Sequence, residues 1–588
     1  RVVPSFCIFR PMRPHAVRCA LTVLAVSAGD GCFTLRPLNE SLPKELLNES
    51  DVAALRSRFL SNLNVFGTGA VIASQGSVPA LHDACHGGCP GGYAFYWTRD
   101  GALSMLAFHR LASSAVGAGN VSDNFVSVTF RAYADWIARV HNETAQRGED
   151  LAFQPKWNIS SGKPYGKGWC RPQTDGPGLE AQALLAFANA AMKPVDVDDF
   201  WALARVDLDW LVASSKTRTD SKTCDLWEET VDADFFWNRM TARSALLTGS
   251  KYAQRLGEEE RAAKYFEAAK AVGDPVVEHL QAGTFGGCFL AECAPRAAGA
   301  ACRSKAKDVD GAVIVGLVHG WRSAGFGVTP AILPTSEVVA KTVESYNQVF
   351  CSLYPVNWQD TNAGIPGVLY GRYAKDAYGG GPWLLITAAL ASLFYQAAQV
   401  VAGGSLLTST EVNSWRSALH EGNFSGSVSD FVNAGDSVML RLWHHVDSSQ
   451  GVHLYEQINK VTGEQYNAKD LTWSYAEVLG ALIERSKAWP CREPLPACPL
   501  REPPTDGCQI RCTAAQLRLT SHLSCPRDAI WPDSQRGPPP VQPSSEQFWT
   551  GVAVGVLCGA SFVLLVLRCA SGGKSELDSD EEDDGLSS

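Results

Sequence analysis

Four short stretches of the sequence concentrate the side chains that chemistry on a polar, uncharged substrate requires. YAFYWTRD (Tyr93 to Asp100) leads aromatic rings and a tryptophan into an Arg-Asp pair. WCRPQTDGPG (Trp169 to Gly178) sets Trp, Arg, Gln and Asp among turn-forming Pro and Gly. DLWEE (Asp225 to Glu229) places two adjacent carboxylates after a tryptophan, and EQINKVTGEQYNAKDLTWSY runs from Glu456 to Tyr475. Paired carboxylates near Trp and Arg are the equipment of glycoside hydrolysis, in which one acid protonates the leaving oxygen and a second carboxylate serves the opposite sugar face. The acid must hold its proton near neutral pH, which an apolar or negatively charged neighbourhood achieves; Glu228 has Trp227 and Glu229 beside it in sequence. Flat rings also stack on sugar faces, although most of the 17 Trp are expected in the core. A single acidic residue is more often simply solvated, so the signal lies in the combination.

In this order and with internal spacings kept, the stretches resemble those of the glucoamylases, glycoside hydrolase family 15. The family patterns are similar to YTWTRD, WGRPQxDGP, DLWEE followed by FF, and EQ-x5-GEQ-x4-DLTWSY. GRYAKDAYGGGPW, from Gly371 to Trp383, is a fifth match, and the resemblance covers about residues 46–487. It implies a mainly α fold, an (α/α)6 barrel or toroid with its active site in a funnel of loops at one end. It implies release of glucose, with inversion, from the non-reducing ends of α-1,4-glucans such as starch, glycogen and maltodextrins, with no cofactor and no metal. Carried over by position, Glu228 is the general acid and Glu456 the general base. Arg99 and Asp100 would fix the terminal glucose; Trp97, Trp169, Glu229, Arg372 and Trp473 would form further subsites, and Tyr93 would line the base side. Inversion leads us to expect carboxyls roughly 6.5–9.5 Å apart, with room for a water.

The chain also departs from the family pattern. Cys170 stands where Gly is usual, Thr174 where Arg is common, and Ile458 replaces an aromatic near the proposed base. Cys85 and Cys89 suggest a disulfide-tied loop at the funnel rim. No aromatic-rich β domain follows the barrel, which favours soluble oligosaccharides over granules. Two other functions fit the same scaffold: a non-catalytic carbohydrate-binding or regulatory protein, and a hydrolase of another α-linked glucan.

These motifs need elements to hold them. Stretches rich in Ala, Leu and Glu at residues 178–192, 206–214, 258–271 and 471–487 predict helices. Alternating β-branched runs are few. The connections exceed the 2–8 residues usual in bundles, and loops of that length tend to carry function. Residues 382–401 are apolar enough to cross a membrane. They nevertheless contain Thr387, Ser392, Tyr395, Gln396 and Gln399 and lack a basic flank, so a buried core helix is expected.

Net charge is −10 and no basic stripe occurs, which excludes nucleic acid as the main partner. Seven acidic residues against Arg568 and Lys574 make the end of the chain responsible for much of that charge. The expected organisation is a signal peptide within residues 1–28 starting at Met12, a lead-in at 29–44, the catalytic domain at 45–489, and a Cys/Pro-rich segment at 490–525. A Pro-rich stalk at 526–547, a transmembrane helix at 548–567 and an acidic cytoplasmic tail at 568–588 complete it. That layout is a monomeric type I membrane protein of the secretory pathway, held in the membrane by one C-terminal helix. Fourteen cysteines outside the signal and anchor, with sequons at Asn39, Asn48, Asn120, Asn142, Asn158 and Asn423, fit that compartment. Disulfides explain Cys491 to Cys525 better than a zinc site, which would need a second ligand pair.

Overall fold

The helix-forming stretches become helices whose faces decide where they pack. The computed structural model describes residues 32–488 apart from 38–45, 78–91, 115, 117–121, 191–193, 216–222, 232, 284–286, 295–299, 306 and 321–331. The signal segment, the Cys85/Cys89 loop, the Cys/Pro-rich segment, the stalk, the 548–567 run and the tail lie outside the described residues. The chain divides at Ile530, and its second unit, Trp531–Ser588, lies outside them as well.

Among the described residues the α-helices are α1 (Glu49–Ser61), α2 (Thr98–Ala112), α3 (Asp123–Gln146), α4 (Asp175–Ala190), α5 (Pro194–Ser215), α6 (Phe236–Arg255), α7 (Glu259–Gly273) and α8 (Ala300–Ser304). They continue with α9 (Gly311–Gly320), α10 (Glu337–Leu353), α11 (Pro355–Asn362), α12 (Leu384–Ala402), α13 (Ser409–Leu419), α14 (Val428–His444) and α15 (Thr472–Ala488). Six of them form an inner ring: α2 packs on α4, α4 on α6, α6 on α9, α9 on α12, α12 on α15, and α15 returns to α2. Outside it, α5 lies on α4, α7 on α6, α14 on α12 and α1 on α15, while α13 packs on α10. This is the mainly helical α/α barrel expected from the sequence. Three two-stranded antiparallel sheets pair β1 (Tyr96–Trp97) with β2 (Lys156–Trp157), β3 (Leu280–Ala282) with β4 (Cys288–Leu290), and β5 (Tyr455–Ile458) with β6 (Gln465–Lys469).

Burial follows position. A helix packed on both sides must be apolar all round; α12 buries 16 of its 19 residues, so the membrane-length apolar run is a core helix of the ring. An outer helix needs only a stripe. Thus α7 buries Ala262, Tyr265, Ala268, Ala269 and Val272 and turns Glu259, Glu260, Lys264 and Glu267 to water. The lead-in is not separate from the barrel. Cys32 is disulfide-bonded to Cys351 of α10, Phe33 packs against Phe394 of α12, and the Gly367 N–H donates to the Thr34 carbonyl at 2.7 Å. The barrel therefore takes in residues 32–37, ahead of the expected boundary at 45. Nothing in the periodicity marks a short extended segment whose tie is a disulfide closing a long loop.

The approach of α14 to α12 is set by a glycine. A Cβ at Gly435 would stand 2.5 Å from the Tyr395 ring, which is fully buried and whose hydroxyl donates to Asp436 at 2.8 Å. In an isolated helix Ala is better than Gly by about 1 kcal/mol, but overpacking a core costs about 1–3 kcal/mol. Gly435→Ala is therefore expected to lower the melting temperature. An unchanged or raised value in a thermal melt would show that this contact does not limit the packing.

Candidate active site

The connections entering five of the six inner helices, α2, α4, α6, α12 and α15, meet at one end of the ring and line a cavity of about 550 Å³. All ten residues expected at the site line it: Tyr93, Trp97, Arg99, Asp100, Trp169, Glu228, Glu229, Arg372, Glu456 and Trp473. The helix starts are unusual. Outer helices carry ordinary polar N-caps, Asn48 on α1, Ser122 on α3, Thr408 on α13 and Ser427 on α14, the last two as capping boxes. By contrast, α2, α6 and α12 have Trp97, Phe235 and Trp383 at the N-cap, with no side-chain cap hydrogen bond. At Trp97 and Trp383 the position that would cap the helix instead presents a ring to the cavity.

Glu228 sits on a tight turn. Cys224 bridges Val231, the Asp225 N–H donates to the Thr230 carbonyl, and buried Asp225 Oδ1 accepts from the Glu229 and Thr230 N–H groups at 2.8 and 2.9 Å. The turn puts Glu228 at φ +63°, the left-handed region that a non-glycine residue adopts at a cost. Its carboxylate then meets three donors, one from the start of α2 and two from the connection into α4. Oε1 accepts from Arg99 Nη2 at 3.1 Å and Gln173 Nε2 at 2.9 Å, and Oε2 accepts from Trp169 Nε1 at 2.7 Å. The expected neighbours Trp227 and Glu229 line the same cavity, each engaged by partners of its own. The Trp227 N–H donates to Asp310 at 2.6 Å, and Glu229 is neutralised by cations.

Glu456 is placed by the β5–β6 hairpin. Tyr455 pairs with Lys469 and Gln457 with Tyr466, so Asn467 and Ala468 together oppose Glu456 in a bulge, with Asn467 at φ +66°. Bulges re-aim side chains beside active sites. The Glu456 carboxyl is 2% exposed, and burial raises its pKa to about 7 against the lowering effect of the Tyr93 hydroxyl and Arg372. Tyr93 donates to Oε1 at 2.6 Å and stands 2.8 Å from the Tyr378 hydroxyl. Oε2 is buried and has no hydrogen-bond partner among the described residues.

Glu229 anchors the opposite wall. Burial alone would raise its pKa, but Arg372, the Tyr373 hydroxyl, Lys307 and Lys305 bring it down to about 2. Arg372 Nη2 lies 2.9 Å from Glu229 and its Nε donates to Asp376 at 2.8 Å. The rings of Trp227, Tyr373, Tyr378 and Trp383 surround its guanidinium at 5.0–5.4 Å. Lys307, fully buried, also pairs with Asp225.

Arg99 is 6% exposed and serves the site from beneath. Besides Glu228 it donates to Gln173 at 3.0 Å and to Asp175 at 3.4 Å, its Nε lies 3.4 Å from Asp100, and it packs on the Trp473 ring. Burial raises the Asp100 pKa to about 6 against the pull of Arg99, with Glu228 and Asp175 adding to the rise. Trp97 and Trp169 meet edge to face at 5.9 Å, with the Lys156 ammonium 4.2 and 3.9 Å from their rings. The candidate set omitted Gln173, Trp227, Tyr378 and Trp383, all of which lie inside or beside the motifs. It also omitted Lys305 and Lys307, which no motif signals.

Among known families, residues 63–482 match Glycosyl hydrolases family 15. The glucoamylase of Blastobotrys adeninivorans is 30% identical over 75% of this chain and 71% of its own length. Glucoamylase-1 of Schizophyllum commune is 28% identical over 68% and 67%. Among solved structures, the glucoamylase from Saccharomycopsis fibuligera is similar in fold, with a TM-score of 0.60 and 20% identity over 78% of this chain and 97% of that one. With the family match spanning most of the sequence and the barrel gathering its motifs around one cavity, the chain belongs to glycoside hydrolase family 15.

Proposed function

We propose that the protein is an inverting, exo-acting hydrolase releasing glucose from the non-reducing ends of α-1,4-glucans, with Glu228 as general acid and Glu456 as general base. The observation that carries this reading is the contrast between two carboxyls on one cavity. Every oxygen of Glu228 meets a fixed donor, which sets its direction, whereas Glu456 keeps a buried oxygen free to take a proton from water. Exo action is supported by a cavity at one end of the ring, over a core in which residues such as Leu390, Leu393 and Val478 are fully buried. Asp100, which lines the cavity beside Arg99, is suited to grip the hydroxyls of the last sugar while Arg99 holds Asp100 and Glu228 in place. Glu229 and Arg372, with Trp97, Trp169 and Trp473, are suited to the adjoining subsites.

Three disulfides among the described residues, Cys32–Cys351, Cys170–Cys224 and Cys293–Cys302, support an oxidising compartment. We propose with them a lumenal or extracellular barrel anchored through residues 548–567.

Hydrolysis of maltotriose by the purified protein, with detection of the product anomer, tests the assignment. Glu228→Gln and Glu456→Gln are each expected to cost about 10²–10⁴-fold in kcat; wild-type rate in either would sink it, and an α-anomeric product would exclude inversion. The Tyr93 hydrogen bond favours ionised Glu456, so removing it raises a pKa that burial has already raised. A base must be ionised to act. The acidic limb of the kcat/KM profile of Tyr93→Phe is therefore expected to move to higher pH, and a limb that stays or moves down would separate Tyr93 from the base.

A further inference from the structure

We propose that the Cys170–Cys224 disulfide is a positioning clamp for Glu228, tying the connection that carries Trp169 to the turn that carries the acid. This rests on the assignment of Glu228 as general acid. The bridge joins residues one and four positions from the two groups it serves: Cys170 follows Trp169, and Cys224 opens the turn to Glu228. Both groups need holding. Residues 166–168, Gly-Lys-Gly, are exposed, and a Cβ at Gly166 or Gly168 would meet nothing within 4 Å, so the approach to Trp169 is held by Arg171 hydrogen bonds to the Tyr165 and Lys167 carbonyls rather than by packing on its glycines. On the other side, Glu228 is held at φ +63°, a conformation that persists only where its surroundings over-determine it.

The bridge acts at the seam between them. Beside it the Cys224 N–H donates to the Pro172 carbonyl at 2.9 Å and the Thr174 and Thr223 hydroxyls meet at 2.9 Å, so the two connections are joined edge to edge for several residues. Across that seam Trp169 Nε1 reaches Glu228 Oε2. Cys170 also lines the cavity, so the clamp lies within the wall that a sugar meets. An opened bridge leaves the indole on a glycine-flanked segment and removes the covalent support of the turn. The acid can then swing from its direction of proton delivery while Arg99, Asp100 and the rest of the sugar-binding wall stay in place. The effect should fall on turnover more than on binding.

The test is a double-mutant cycle on kcat and KM for maltotriose, with Cys170→Ala/Cys224→Ala, Trp169→Phe and their combination, each checked for folding by its melt. Misplacing a reacting group by about 1 Å can cost about 10²-fold, so the bridgeless protein is expected to lose at least about tenfold in kcat with little change in KM. Trp169→Phe, which removes the indole N–H, should add almost nothing in that background, because clamp and indole act through one bond. Unchanged kcat, or fully additive losses, would overturn the proposal. Should the bridgeless protein not fold, the wild type is titrated with a thiol reductant and the opened bridge mapped by alkylation. Activity lost in step with opening of Cys170–Cys224 supports the clamp, and full activity with that bridge open overturns it. Failure of the acid assignment itself reads differently, as full activity of Glu228→Gln in the bridged protein.

Discussion

Burying a guanidinium beneath the cavity is the constraint on which the catalytic end depends. Arg99 leaves water only because Asp100, Asp175 and Glu228 surround it, and those carboxylates in turn need its charge. Its partners come from three different entrances to the ring: α2, the connection into α4, and the turn before α6. Removing either side would strand a buried charge, so the electrostatics force these entrances together as firmly as apolar packing closes the ring below. Arg372 does the same on the opposite wall, where Glu229 and Asp376 compensate it and four aromatic rings exclude water.

Much of this was legible in the sequence because each entrance is one contiguous motif. The ten candidate residues fell in short stretches, and the ring needed only to bring those stretches to the same end. Helix positions were legible for the same reason, since an inner helix such as α12 must be apolar all round and an outer one such as α7 must not. What could not be read was which motif reaches which. Trp227 and Glu229 adjoin Glu228 in the chain, yet the left-handed turn sends them to Asp310 and Arg372 and gives Glu228 to Trp169 and Gln173. Sequence adjacency is a poor guide wherever a turn reverses successive side chains. Lys305 and Lys307 carried no signal at all, because their role comes only from the place where the connection into α9 crosses Glu229 and Asp225.

The N-caps show how stability and site divide the barrel. Replacing a polar N-cap by an apolar residue costs about 0.5–2 kcal/mol. The outer helices α1, α3, α13 and α14 avoid that cost, while α2 and α12 bear it at Trp97 and Trp383, where the residue that would close the helix faces the cavity. The partial positive charge of those helix starts lies beside a bowl rich in carboxylates, an arrangement that favours negative charge there. The same ends that are weakest as helices are therefore the ones best suited to an acidic site.

On the proposed assignment Glu228 and Glu456 play different parts, and their surroundings differ accordingly. Three carboxyls share one guanidinium beneath the cavity, and full ionisation of all three would leave uncompensated negative charge in a buried space. Burial raises the pKa of Asp100 to about 6 against the pull of Arg99, with Glu228 and Asp175 adding to the rise. Across the cavity Glu456 faces the opposite condition, held above its ordinary range by burial alone and eased down by Tyr93 and Arg372. The two carboxyls thus differ by environment rather than by residue type, one fixed by Arg99, Gln173 and Trp169 and one buried beside Tyr93 with an open oxygen. A pair that must give and take a proton on opposite faces of one sugar needs that asymmetry built in before substrate arrives.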